Sequence, residues 1–177
     1  AAILSTKAEK NPQLANQVNV DGTKIILDFA KINALKQHSK ILFFFPSSIA
    51  VYNVKGNNDI EVIEHEFCES PMTEYGRAKL HCEKLGNDYD FNNETAGLDF
   101  RSIRFPGIIS AFSIPTGGTS DYAPEMIHAA ANNTLYECFV SNDRRLPFIV
   151  MPDAIDAIFQ IVKTPKKNLF KKSYNIS

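Results

Sequence analysis

Two side chains able to move a proton stand four positions apart in Tyr75-Gly76-Arg77-Ala78-Lys79. On a helix that spacing puts both on one face, where they can address one ligand. A tyrosine hydroxyl ordinarily titrates at roughly 10, too high for an efficient base at neutral pH. A nearby ammonium stabilises the phenolate and lowers that value. A tyrosine tuned in this way can take a proton from an alcohol. The same spacing also arises by chance on amphipathic helix surfaces, so by itself it decides nothing. A second feature lies upstream, in Phe45-Pro46-Ser47-Ser48-Ile49-Ala50-Val51-Tyr52. Two hydroxyls there follow an apolar run. In an open parallel sheet, ligands bind at the carboxyl ends of the strands, and a serine at such an end can hold a substrate oxygen. Serine is equally favoured in turns and helix caps.

The elements that must position these groups follow from hydrophobic periodicity. Short apolar runs alternate with longer helical stretches, the pattern of an α/β protein with a mostly parallel sheet. Residues 1–4 read as the end of a buried strand, followed by a polar turn and a helix start at Asn11-Pro12. Residues 13–37 are helical in pattern through Leu14, Val18, Ile25, Ile26, Phe29 and Leu35, with Gly22 as a weak point and Asn19 in a structural position. Residues 41–45 form a continuous apolar run, expected as a buried strand that stops at Pro46. The connection over 47–71 is long, with Gly56-Asn57-Asn58-Asp59 at its centre. Helices are expected over 73–92, with Thr73 as cap, over 122–132, and over 152–163, with Asp153 in the first turn. Strands are expected over 99–105, 136–140, 146–151 and 173–177.

The bulk properties narrow the function classes. The chain has 177 residues, a formal net charge of -1, 44% hydrophobic and 22% charged residues. These are values of an ordinary globular domain, with no basic excess to attract nucleic acid. No apolar run is long enough for a membrane span. Cys68, Cys82 and Cys138 are far apart, and His38, His65, His81 and His128 are scattered. This spacing gives no zinc motif. It reads as three free thiols in a reducing compartment, the cytoplasm, with the mitochondrion left open. No metal is expected.

Taken together, the order of these features is specific: a strand ending in Ser47-Ser48, a Tyr-x-x-x-Lys helix, then a strand ending in Arg104-Phe105-Pro106-Gly107. In this the chain resembles the extended short-chain dehydrogenase/reductase family, the group of nucleotide-sugar epimerases and dehydratases. The resemblance implies a Rossmann-like doubly wound parallel sheet and NAD as cofactor. It maps the catalytic set onto Ser48, Tyr75 and Lys79, because the family's hydroxyl residue stands four before the tyrosine after the strand, here Tyr52. It also implies that Leu4, Ser5, Pro46, Ser47, Tyr75, Lys79, Phe105, Pro106 and Ile108 face the cofactor. Asn53 departs from the family pattern, which has glycine there.

Within that family, several segments resemble the L-threonine 3-dehydrogenases of the short-chain type. They include Pro46-Ser47-Ser48-Ile49-Ala50-Val51, Arg104-Phe105-Pro106-Gly107-Ile108-Ile109-Ser110 and, most discriminating, Gly117-Gly118-Thr119-Ser120-Asp121-Tyr122-Ala123. This implies oxidation of the L-threonine 3-hydroxyl to 2-amino-3-oxobutyrate, with Ser5, Ser48, Ile49, Tyr75, Gly118, Thr119 and Ser120 around the substrate. The glycines allow close backbone approach and the hydroxyls suit an amino acid's charged groups. A Gly-rich turn capped by Asp121 is the competing reading.

The sequence lacks the Gly-x-Gly-x-x-Gly turn that cradles a dinucleotide pyrophosphate. Residues 1–177 therefore read as one domain, the C-terminal half of a dinucleotide-binding domain with part of the substrate lobe. The first half is missing, which leaves apolar faces without cover. Inactivity of this piece alone is the expectation, and a small molecule is the expected partner. A homodimer of the complete enzyme, through the 13–37 and 73–92 helices, follows by resemblance. The rival readings are a nucleotide-sugar epimerase/dehydratase and a non-catalytic remnant.

Overall fold

The computed structural model describes residues 2–53, 68, 70–113, 115, 118–143 and 145–176. Residues 56–59, Thr116, Gly117 and the terminal residues Ala1 and Ser177 lie outside the described residues.

Strand β1 (Lys40–Ser48) pairs in parallel with β3 (Gly97–Phe105) along its whole length, from Lys40 opposite Gly97 to Ser48 opposite Phe105. The other edge of β3 is shared. Strand β2 (Phe91–Asn92) runs antiparallel beside its start, and β6 (Ser173–Asn175) runs parallel beside its end. A separate parallel pair joins β4 (Gly107–Ile109) to β5 (Phe148–Val150).

Alternation along β3 divides the core into two layers. Leu98 and Phe100 face α3 (Gly22–Lys36) and α4 (Glu74–Tyr89), where they meet Leu27, Ala30, Phe45, Ala78 and Cys82. Ile103 and Phe105 face the opposite way, onto Ala154 and Ile161 of α6 (Met151–Lys163). Helices therefore cover both faces of a parallel sheet, the doubly wound α/β arrangement expected. The buried Arg101, also on the α6 side, donates to the carbonyls of Ile161 and Thr164 at the helix's C-terminal end. Outward-facing Ile25, Ile26, Phe29 and Ile32 of α3 are exposed, as are Ile155 and Phe159 of α6.

Several expectations are corrected. Residues 2–4 form no strand; Leu4 is extended and Ser5 begins helix α1 (Ser5–Lys10). The reason is a partner 16 positions away. The side chain of buried Asn19 accepts from Ile3 N at 2.8 Å and donates to Ile3 O at 3.0 Å, so one amide takes the place of a strand partner. Strand β1 does not stop at Pro46 but continues through Ser48. Among the described residues β1 pairs on one side only, and proline, which has no N–H to donate, is tolerated on such an edge strand.

The helix expected over 13–37 is α2 (Pro12–Asn16), a π-helical turn (Gln17–Asp21) and α3, with Gly22 just after the π segment. Residues 136–140 are not a strand. They are irregular, pinned by Tyr136 Oη donating to Glu125 and by the Phe139 ring edge-on to Tyr122. Helix α5 (Tyr122–Ala131) has Asp121 at its N-cap position, but that carboxylate accepts from Gly118 N instead of capping the helix.

Candidate active site

Helix α4 starts firmly. Thr73 Oγ1 accepts from Gly76 N at 3.0 Å, and Glu9 Oε1 accepts from Glu74 N at 2.6 Å, so two of the N–H groups left open by the first turn are satisfied. This first turn lies directly on the 3-10 turn Ile49–Val51 that follows β1. A Cβ at Gly76 would stand 2.0 Å from Ala50 O and 2.9 Å from Ala50 C. Only glycine permits that approach, which brings Tyr75 beside the serine-tipped strand.

One turn further on, Lys79 reaches back to the same strand end. Its Nζ donates to Pro46 O at 2.5 Å, lies 4.7 Å from the Phe45 ring centroid and stands 5.5 Å from the Tyr75 ring centroid. Ser48 caps the 3-10 turn, its Oγ accepting from Ala50 N at 3.2 Å. The hydroxyl proton of Ser48 is thereby left for another acceptor. Tyr75, Lys79 and the Pro46–Ser48 strand end thus share one corner of the sheet's carboxyl end.

The electrostatics differ from the simple expectation. Burial pushes the Tyr75 phenol above its ordinary value. Burial also pushes the Lys79 ammonium below its own, against the smaller opposing effects of Cys82 and Glu83. Desolvation is the leading cause of both shifts.

The other sequence-derived positions distribute as follows. Leu4 is half-buried and Ser5 buried at the start of α1, while Phe105 and Pro106 are buried at the end of β3. Ile49 is half-buried in the 3-10 turn and Ile108 is exposed on β4. Gly118, exposed Thr119 and half-buried Ser120 form a turn whose hydrogen bonds are local. Gly118 N donates to Asp121 Oδ2 at 2.8 Å, and Ser120 Cβ packs beside Gly107 of β4. Ser47 is buried and donates to Glu83 Oε1 at 2.5 Å.

Glu83, Arg104, Tyr52 and Asn175, to which the sequence assigned no site role, extend that last contact into a network. Arg104 Nε donates to Glu83 Oε1 at 2.9 Å and Nη2 donates to Oε2 at 2.6 Å. Arg104 Nη1 donates to Tyr52 Oη at 2.7 Å, and Tyr52 Oη donates to Asn175 Oδ1 at 2.6 Å. Burial by itself would lower the Arg104 guanidinium, but its hydrogen bonds to Glu83 and Tyr52 hold it above its ordinary value. One signal was available: Glu83 lies eight positions beyond Tyr75 and four beyond Lys79, on the same helical face.

The whole chain, residues 1–177, matches the family described as NAD dependent epimerase/dehydratase. The chain belongs to that family. It is 37% identical over its full length to the mitochondrial L-threonine 3-dehydrogenase of Bos taurus, of which it covers 44%. It is 35% identical to an uncharacterised epimerase/dehydratase of Staphylococcus haemolyticus, of which it covers 52%. Among solved structures, the holo form of a GalE-like L-threonine dehydrogenase from Cupriavidus necator superposes with a TM-score of 0.83 at 36% identity, over all of this chain and 55% of that one. The chain thus spans about half the length of the curated epimerase/dehydratase relatives it matches. Among its described residues no helix is long and apolar enough to cross a membrane, and no group of three or more His, Cys, Asp or Glu side chains could hold a metal.

Proposed function

We propose that this chain is the catalytic half of an NAD-dependent dehydrogenase that oxidises the 3-hydroxyl of L-threonine to 2-amino-3-oxobutyrate. The observation that carries the reading is Lys79, which bridges the Tyr75 ring and the Pro46 carbonyl beside Ser48. Similarity to enzymes named L-threonine 3-dehydrogenase supports the substrate. So does the Gly118–Thr119–Ser120 turn, whose backbone and hydroxyls suit an amino acid's carboxylate and ammonium.

The residues present fit one end of the cofactor. Lys79 has three N–H donors, and among the described residues its hydrogen bond goes to Pro46 O. Donors therefore remain for ribose hydroxyls. The pyrophosphate cradle is not encoded in these residues, so the activity belongs to a polypeptide that joins this half to a phosphate-binding half. When bound, an oxidised nicotinamide would supply the hydride acceptor. Tyr75 Oη takes the proton of the substrate hydroxyl. Ser48 Oγ, whose acceptor side is used by Ala50 N, donates to the same oxygen. Lys79 would hold the ribose hydroxyls with its remaining N–H donors.

The test is a substrate comparison in the full-length protein. Reduction of NAD with L-threonine and none with UDP-sugars supports the reading. Turnover of UDP-sugars alone makes the chain part of a nucleotide-sugar epimerase or dehydratase. No turnover of either leaves the non-catalytic remnant. Calorimetry on the isolated 177 residues is expected to show weak NAD binding or none.

A further inference from the structure

Glu83 and Arg104 form a buried bidentate ion pair, their side chains 3% and 5% exposed. Removing two charges from water costs more than such a pair usually returns, and an apolar pair of similar volume would stabilise the fold as well or better. Stability is therefore a poor reason for this pair to stand here. Its connections give a better one.

The Glu83 carboxylate receives Ser47 Oγ from β1 and the guanidinium from β3, where Ser47 and Arg104 are register partners. The same guanidinium donates to Tyr52. The chain over 47–52 is consequently fastened at both ends, by Ser47 to Glu83 and by Tyr52 to Arg104. Ser48 and the 3-10 turn are held between these fastenings, and the Pro46 carbonyl that receives Lys79 immediately precedes the first. Glu83 follows Lys79 by one helical turn, so the clamp also sets the rotation and depth of α4 against β1.

We propose that Glu83 is a positioning residue: gripped by Arg104, its carboxylate fixes the Ser47–Tyr52 segment and thereby the distance of Ser48 and Pro46 O from Tyr75 and Lys79. The inference rests on the dehydrogenase reading for its kinetic consequence, and on the geometry alone for its structural one.

Two variants of the full-length protein test it. Ser47→Ala cuts the link to β1 and leaves the ion pair whole. Glu83→Met with Arg104→Met removes both charges, so neither is left buried without a partner. In both, amide hydrogen exchange over 48–52 is expected to quicken while that of α3 stays as in the wild type. Because misplacement by about 1 Å can cost up to 100-fold in rate, kcat is expected to fall by about 10-fold or more in the double variant, with the KM for NAD unchanged. Wild-type exchange and kcat in both variants would overturn the proposal. If Glu83→Met/Arg104→Met fails to fold, Ser47→Ala decides. If the wild type oxidises no alcohol, the dehydrogenase reading falls, and the exchange rates alone decide whether the clamp exists.

Discussion

The Lys79 ammonium donates to the carbonyl oxygen of Pro46 across 2.5 Å, tying the Tyr75 helix to the end of β1 by one charged hydrogen bond. The contact is part-buried, while Lys79 itself is buried and desolvation lowers its pKa. Unlike a surface pair, it responds to pH through the cost of burial.

That response has a definite sign. The folded-state pKa of Lys79 lies below its unfolded value of roughly 10.5. The unfolded chain therefore binds more protons in the window between the two, and stability rises with pH there. Tyr75 acts oppositely. Its folded pKa lies above roughly 10, so its contribution is complete below that pH and is lost as pH climbs through the folded value. Lys79→Met removes the first effect. Urea midpoints of wild type and variant at neutral pH and near pH 10 are expected to differ less favourably for the wild type at neutral pH, the gap narrowing toward alkaline pH. A gap independent of pH would show that Lys79 is not desolvated.

Tyr75→Phe keeps the ring that packs beside Lys79 and removes only the oxygen. If Tyr75 is the base, kcat in the full-length protein drops by about 10²–10⁴ while NADH affinity is largely retained. Steady-state kinetics with equilibrium fluorescence of bound NADH measures both. Turnover equal to the wild type would remove Tyr75 from the mechanism.

Gly76→Ala is expected to damage both stability and the site. The new Cβ would meet the Ala50 backbone at 2.0 Å, and backbone cannot swing aside. Overpacking of this kind costs roughly 1–3 kcal/mol, and the displaced turn carries Ser48 with it. Gly86→Ala is the control. It strikes the fully buried Phe100 ring at 2.0 Å, two helical turns farther along α4 from Lys79. Its cost is of similar size, about 1–3 kcal/mol, with kcat unchanged in the protein that remains folded. Denaturation midpoints read alongside kcat separate the two. Equal kcat loss in both would mean that α4 transmits strain along its length.

The features legible in the sequence were those set by near neighbours along the chain. Helical spacing put Tyr75 and Lys79 on one face, Thr73 announced the start of their helix, and the apolar run 41–45 marked β1. Each depends on backbone periodicity or on a cap within one turn, so residue types suffice to read it. Where the same local signals met distant partners they misled. Residues 2–4 looked like a strand until Asn19 took their backbone groups. Residues 136–140 looked like another until Glu125 and Tyr122 held them.

Tertiary structure alone decided the rest, because it depends on contacts between residues remote in the chain. Ser47 and Glu83 are 36 positions apart, Glu83 and Arg104 are 21, and Tyr52 and Asn175 are 123. The direction of the Tyr75 pKa is of the same kind. From the motif, a neighbouring ammonium should lower it. In the folded chain, loss of water raises it. Spacing along a helix fixes which groups can meet, but the free energy of a charge depends on everything packed around it, and that is assembled only when the helix closes on the sheet.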